Sequence, residues 1–156
     1  MVFTPIFGSL VDIRGKATRW MILGSCLVLL SHLIIAFAPG IPVFGYIGIA
    51  ILGIGYSLVP AAMWPSVPKI IPEKNLGTAY SLIYWIQNMG MLLVPIFVGK
   101  IIEKNIDDQI RAAVQAEYLF IGLALVAIAV SLILSRSSDS NPHLQLDVPN
   151  KVRKTK

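Results

Sequence analysis

Tyr80, Tyr84, Gln87 and Asn88, and then Met91, recur at spacings of three and four, which on a helix places them along one face. Phenol hydroxyls and side-chain amides both donate and accept hydrogen bonds, and the rings offer flat apolar surface. This is the chemistry of gripping a small polar solute rather than of breaking a bond in it. Trp64 and Tyr56, upstream in another apolar stretch, add a second set of ring surfaces. In hydrocarbon such groups must be bonded to protein or face a wet cavity, because lipid offers no hydrogen bonds and each unsatisfied group costs about several kcal/mol. The candidate solute-binding set is therefore Tyr84, Gln87, Asn88, Trp64 and Tyr56. The alternative for Gln87 and Asn88 is an interhelical clamp worth about 0.6–2 kcal/mol; for the rings it is packing or anchoring at the membrane interface.

Bond-making chemistry is not legible. The chain holds no Gly-x-Ser-x-Gly, no paired histidine motif, no phosphate-binding glycine loop and no cluster of metal-ligand types, so neither an enzyme, a cofactor nor a metal is expected. His32 lies in a charge-free run, where an ionisable group is a functional suspect by default. The competing assignment, a neutral histidine bonded to a neighbour, is the favoured one. A membrane enzyme built on His32 and an amide is the weaker third. Cys26, the single cysteine, is read as a small packing residue.

The elements that would carry these residues are membrane helices. Of 156 residues, 56% are hydrophobic and 13% charged, with a net charge of +5, which excludes an ordinary soluble domain. Residues 20–68, 75–99 and 118–135 contain no formally charged side chain, and about 20 apolar residues suffice to cross a bilayer. The expected organisation is the end of a truncated transmembrane helix at 1–11, a cytosolic loop at 12–19, and transmembrane helices at 20–38, 43–68 and 77–100. A lumenal or extracellular loop at 101–117, a further transmembrane helix at 118–135 and a disordered cytosolic tail at 136–156 complete it. Pro60 and Pro95 fall inside spans and predict kinks, since proline supplies no N–H. Gly45, Gly48, Gly53 and Gly55 predict a close approach of neighbouring backbones. Arg14, Lys16 and Arg19, Lys69 and Lys74, and the basic tail share one face, which the distribution of Lys and Arg assigns to the cytosol. The positive balance thus orients spans in a lipid bilayer, and no nucleic-acid partner is implied.

Gly8-x-x-x-Asp12-x-x-Gly15-Lys16-x-x-Arg19 resembles the signature cytosolic loop of the major facilitator superfamily. The longer pattern Trp64-Pro65-x-Val67-x-x-x-Ile71-Pro72-Glu73-x-x-Leu76-Gly77-Thr78-Ala79-Tyr80, followed by Ile86-Gln87-Asn88-x-Gly90, resembles the helix ten to helix eleven segment of a superfamily branch that carries dipeptides across the lysosomal membrane. The resemblance implies an all-α membrane protein, the carboxy-terminal part of a major facilitator fold: the end of helix eight plus helices nine to twelve. Helix ten would line the central cavity with helix eleven beside it, and helices nine and twelve would lie outside. It implies alternating-access transport of dipeptide-like solutes and a gating role for Gly8, Asp12, Gly15, Lys16 and Arg19. It also implies a heavily glycosylated single-span accessory partner. The chain itself has no Asn-x-Ser/Thr acceptor. The alternative from another class is a small four-span membrane scaffold that uses the glycine-rich second span and the basic tail.

Overall fold

The charge-free runs become helices in the computed structural model, which describes residues 3–141 and 146–149. Six α-helices follow in order: α1 Phe3–Arg14, α2 Ala17–Phe37, α3 Pro42–Met63, the short α4 Val67–Ile70, α5 Leu76–Lys104 and α6 Gln109–Ser140. No strand occurs among the described residues. Four segments are long and apolar enough to cross a membrane: Ala17–Phe37, Pro42–Ile70, Glu73–Lys104 and Gln109–Ser140.

The helices overrun the expected boundaries. The anticipated loop at 101–117 shrinks to the few residues between Lys104 and Gln109, because Asp108 caps α6 by accepting from the Arg111 N–H at 2.9 Å, satisfying a donor that has no partner inside the helix. The charges that suggested a loop ride on the ends of α5 and α6. The loop at 12–19 likewise shrinks to Gly15 and Lys16, with Asp12 and Arg14 helical. The third segment departs from a uniform helix after Met63. Pro65 and Pro68 lack the N–H groups that would bond the carbonyls of Ala61 and Trp64, so the chain tightens into a 3₁₀ turn at Trp64–Ser66 before α4. Within the turn, Ser66 Oγ donates to the Ala62 carbonyl at 2.7 Å. Ile71 is then extended, the conformation favoured before a proline.

α2 is the hub, packed against both α3 and α6, while α1 packs on α3. Its buried positions are mostly small or polar: Ala17, Thr18, Gly24, Ser25, Ser31 and Ala36 among them. Small residues let backbones approach, which matters where lipid supplies no hydrophobic drive between helices. The closest crossing is Gly24 against Gly55: a Cβ on Gly55 would stand 2.9 Å from the Gly24 carbonyl oxygen, and one on Gly24 would stand 2.8 Å from Val59 Cγ2. Of the four glycines expected to serve this purpose, Gly48 and Gly55 do so, whereas Gly45 and Gly53 face open space. At the basic end, Val11, Ala17, Met21 and Ala62 form a core shared by the first three helices. α5 differs from the rest. None of its residues is buried, and its contacts are few, chiefly with the flank of α6 and with the residues leading into it.

The tail corrects another expectation. α6 continues helically through Ser140, and residues 146–149 return to the turn between α1 and α2; the remaining tail positions, 142–145 and 150–156, lie outside the described residues. The Asp147 carboxylate accepts from the Thr18 N–H at 3.1 Å and from Thr18 Oγ1 at 3.1 and 3.0 Å. It thus caps α2, for which Lys16 provides no side-chain cap. Lys69 Nζ donates to the carbonyls of Leu146 at 3.2 Å and Val148 at 2.9 Å, and Leu146 is fully buried. The strap dictates the residue type at Gly15, where φ is +66° and a Cβ would collide with the Asp147 carbonyl oxygen. A long-range cap of this kind is expected to contribute about 1 kcal/mol. Asp147→Ala should therefore lower the unfolding temperature of the purified protein measurably, and an unchanged melting curve would show that the strap contributes nothing.

Candidate functional site

The site is built where α3 gives way to its 3₁₀ turn. Trp64 is held there at the end of a proline-containing helix, and its indole meets two phenols of α5: Tyr84 at a centroid distance of 5.2 Å and Tyr80 at 5.7 Å, with planes tilted by 33° and 34°. Tilted pairs at such distances are favourable beyond their buried area, by about 0.5–1.5 kcal/mol. The rings therefore help to hold α5, which has few other contacts, against α3.

Above the indole lies an open cavity of about 510 Å³ bounded by α2, α3, α5 and α6. Tyr56, Trp64 and Gln87 line it, with Ser25, Pro60 and Met63 among the remaining wall residues. Three of the five solute-binding candidates thus share one concavity. Tyr84 joins it indirectly, through its ring contact with Trp64. Asn88 does not line it and is exposed on α5; one residue further round the helix is a rotation of about 100°, enough to turn it out of the wall. Tyr56 and Tyr84 are 66% and 52% exposed, so their hydroxyls are accessible to a solute. Pro60 matters here because its missing N–H leaves the carbonyl of Tyr56, one turn earlier, without its usual helical partner. Mixed apolar walls with a few convergent polar groups are the usual form of a small-molecule site.

Sequence reasoning missed two contributors. Ser25 comes from α2, expected to lie outside, yet its side chain reaches this cavity; a hydroxyl amid small packing residues carried no signal of its own. Tyr80 was seen as part of the polar stripe but not as a partner of Trp64. The residues expected to gate lie along α1 and at the α1–α2 turn. Gly15 and Lys16 both adopt positive φ, at 66° and 57°, Arg19 is exposed, and Gly8 faces open space. Asp12 sits on the last turns of α1, half-buried and with an interaction partner.

His32 lies at the other end of α2. Its Nδ1 is hydrogen-bonded to Glu117 Oε2 of α6 at 2.6 Å, and its ring stacks on Phe120 at 5.1 Å with planes 11° apart. The favoured expectation of a histidine bonded to a neighbour holds in its geometry. Glu117 was read as a loop residue, and its place two turns inside α6 is the correction. The pair stands apart from the solute cavity, whose walls include neither residue. No cluster of three or more His, Cys, Asp or Glu side chains able to hold a metal occurs among the described residues.

Four membrane-length helices around a ring-lined cavity, with a broken helix at its edge, define a multi-pass α-helical membrane protein. The chain belongs to the Major Facilitator Superfamily, whose family description matches residues 1–154. It is similar to the lysosomal dipeptide transporter MFSD1 of Homo sapiens, with 33% identity over 141 residues, and to that of Mus musculus, with 34% over 141 residues; each alignment covers 88% of this chain and 28% of the relative. The Gallus gallus protein of the same name is 39% identical over 100 residues, 64% of this chain and 22% of the relative. The chain thus spans little more than a quarter of the length of the curated relatives it matches.

Proposed function

We propose that the chain forms one wall and part of the cytosolic gate of a carrier that moves dipeptides across the lysosomal membrane by alternating access. The observation that carries this is the single cavity in which Tyr56, Trp64 and Gln87 converge, with Tyr84 seated on Trp64. A dipeptide offers one peptide group, two side chains and two charged termini. The Gln87 amide can match the peptide group donor for acceptor, and the rings can cover an apolar or aromatic side chain. The cavity walls hold no formally charged residue, so charged termini would be met by groups elsewhere in the carrier. The similarity to proteins named as lysosomal dipeptide transporters supports both the substrate class and the compartment. Transport then follows from two halves rocking around the site, with differential binding in the two states setting the direction of net movement. The chemistry asked of these residues is recognition without covalent change.

In the complete carrier, Gln87→Ala and Tyr84→Ala should each weaken dipeptide binding by about three- to tenfold, the equivalent of one hydrogen bond or one ring contact, while membrane expression is retained. Binding measured by tryptophan quenching and uptake into proteoliposomes would check this. Unchanged affinity in both variants would move the site elsewhere. Asn88→Ala, on the exposed side of α5, should have the smaller effect. The accessory glycoprotein remains part of the proposal: this chain has no acceptor sequence for an N-glycan, so a glycan shield over its lumenal loops would come from outside these residues. Full activity and lifetime in cells lacking any co-purifying glycoprotein would argue against it.

A further inference from the structure

Where α1 turns into α2, Arg14, Lys16, Arg19, Trp20 and Leu23 surround an open concavity of about 390 Å³. We propose that this concavity binds an anionic phospholipid, with the phosphate among the three cations and the first acyl segment along Trp20 and Leu23.

The charge arrangement asks for an anion. Arg14, Lys16 and Arg19 are all exposed, and none of them meets a carboxylate within salt-bridge distance among the described residues. The two acidic groups nearest in sequence and space are engaged elsewhere: Asp147 with Thr18, and Asp12 with a partner of its own. Helix stability does not explain the cations either. Arg14 suits the carboxy-terminal end of α1, but Lys16 and Arg19 stand at the amino-terminal end of α2, where the helix dipole disfavours positive charge. The positive-inside tendency accounts for their sign on this face but not for their convergence on one hollow.

The hollow is ordered like a lipid. Cationic heads form one rim; Trp20, a residue type that settles at the headgroup level, forms the next layer; and Leu23, 45% exposed, continues one turn deeper along a membrane-length helix. The Trp20 indole N–H already donates to the Gly15 carbonyl at 3.1 Å, which fixes the ring and leaves its apolar surface for an occupant. The first turn of α2 is itself closed by the Asp147 cap, so recognition falls to the cationic side chains. The turn that spreads these cations is preorganised. Lys16, a non-glycine residue at φ 57°, is held there by its N–H bond to the Asp147 carbonyl at 2.9 Å. Strain of this sort persists only where surrounding structure enforces it, and it accompanies binding sites.

The test uses the complete carrier, purified and titrated with phosphatidylcholine vesicles with or without phosphatidylserine, followed by native mass spectrometry and thermal unfolding. Phosphatidylserine should be retained in preference to phosphatidylcholine and should raise the unfolding temperature. A cation near an anionic surface contributes about a fivefold factor, so Arg14→Gln with Arg19→Gln should lower the preference roughly twenty-five-fold. Both positions are exposed, and the melting temperature in pure phosphatidylcholine verifies folding. Lys74→Gln with Arg136→Gln removes the same charge from this face outside the hollow, and should leave the preference nearly intact; an equal loss there would overturn the site in favour of diffuse surface attraction. Leu23→Ser should weaken phosphatidylserine alone. Inorganic phosphate or glycerophosphoserine competing as well as the lipid would overturn the lipid assignment in favour of a soluble anion.

Discussion

His32→Ala is expected to destabilise the protein by about 1–3 kcal/mol, the cost of leaving a part-buried polar group without its hydrogen-bond partner. The side chains of His32 and Glu117 are only 11% and 18% exposed, so water replaces little of the lost hydrogen bond. The carboxylate would be left beside Phe120 and the small residues of α2, on a helix that crosses a membrane. Glu117→Ala should cost less, because an unpaired imidazole is easier to bury than an unpaired carboxylate. Removing both, as His32→Leu with Glu117→Leu, should recover most of the stability, since apolar groups of similar size replace a buried pair at little cost or with a gain. Thermal unfolding in detergent or nanodiscs would measure all three. If the double variant were as unstable as His32→Ala, the pair would not be the origin of the effect. The consequence is architectural: the pair fastens the hub helix α2 to α6.

The second large effect is expected at the α2–α3 crossing. Gly55→Val places a branched side chain where even a Cβ would lie 2.9 Å from the Gly24 carbonyl oxygen, 3.0 Å from Leu27 Cβ and 3.0 Å from the Val28 nitrogen. Two of these three neighbours are backbone, which cannot swing aside as a flexible side chain would. Overpacking typically costs about 1–3 kcal/mol, and this site belongs at the upper end of that range. The solute cavity should suffer with it, because Tyr56 follows directly and Val28 and Val59 are wall residues. Gly45→Ala and Gly53→Ala face open space and should be neutral, or stabilising by up to about 1 kcal/mol from helix propensity alone. Comparing unfolding temperatures of the three variants separates close packing from the general tolerance of glycine in these helices. Equal effects at Gly55 and Gly53 would contradict the crossing.

Legibility in the sequence followed physical range. Charge-free runs of membrane length are a local property, and the helices appeared where that property placed them, whereas the 3₁₀ turn after Met63 interrupts a span read as one helix over 43–68. The polar stripe of α5 was legible for the same reason, because helical period alone brings Tyr84 and Gln87 to one side. Asn88 shows the limit. Adjacent to Gln87, it shared the stripe on paper but turned out of the wall once α5 took its rotation against α3. The boundaries failed where charge was used as a proxy for loop: Glu117, Arg111 and Lys104 are helical because helix ends can project charged side chains beyond the apolar layer.

The sequence by itself determined the class of molecule, the number of crossings and the superfamily, since these rest on hydropathy, helical period and contiguous motifs. Only the tertiary structure decided that His32 meets Glu117, 85 residues away, and that Asp147 returns across 129 residues to cap α2 at Thr18. Those pairings depend on how helices rotate and lean on one another, and on where a tail comes to rest. Many distant side chains fix such quantities jointly, and no local pattern of residues encodes them.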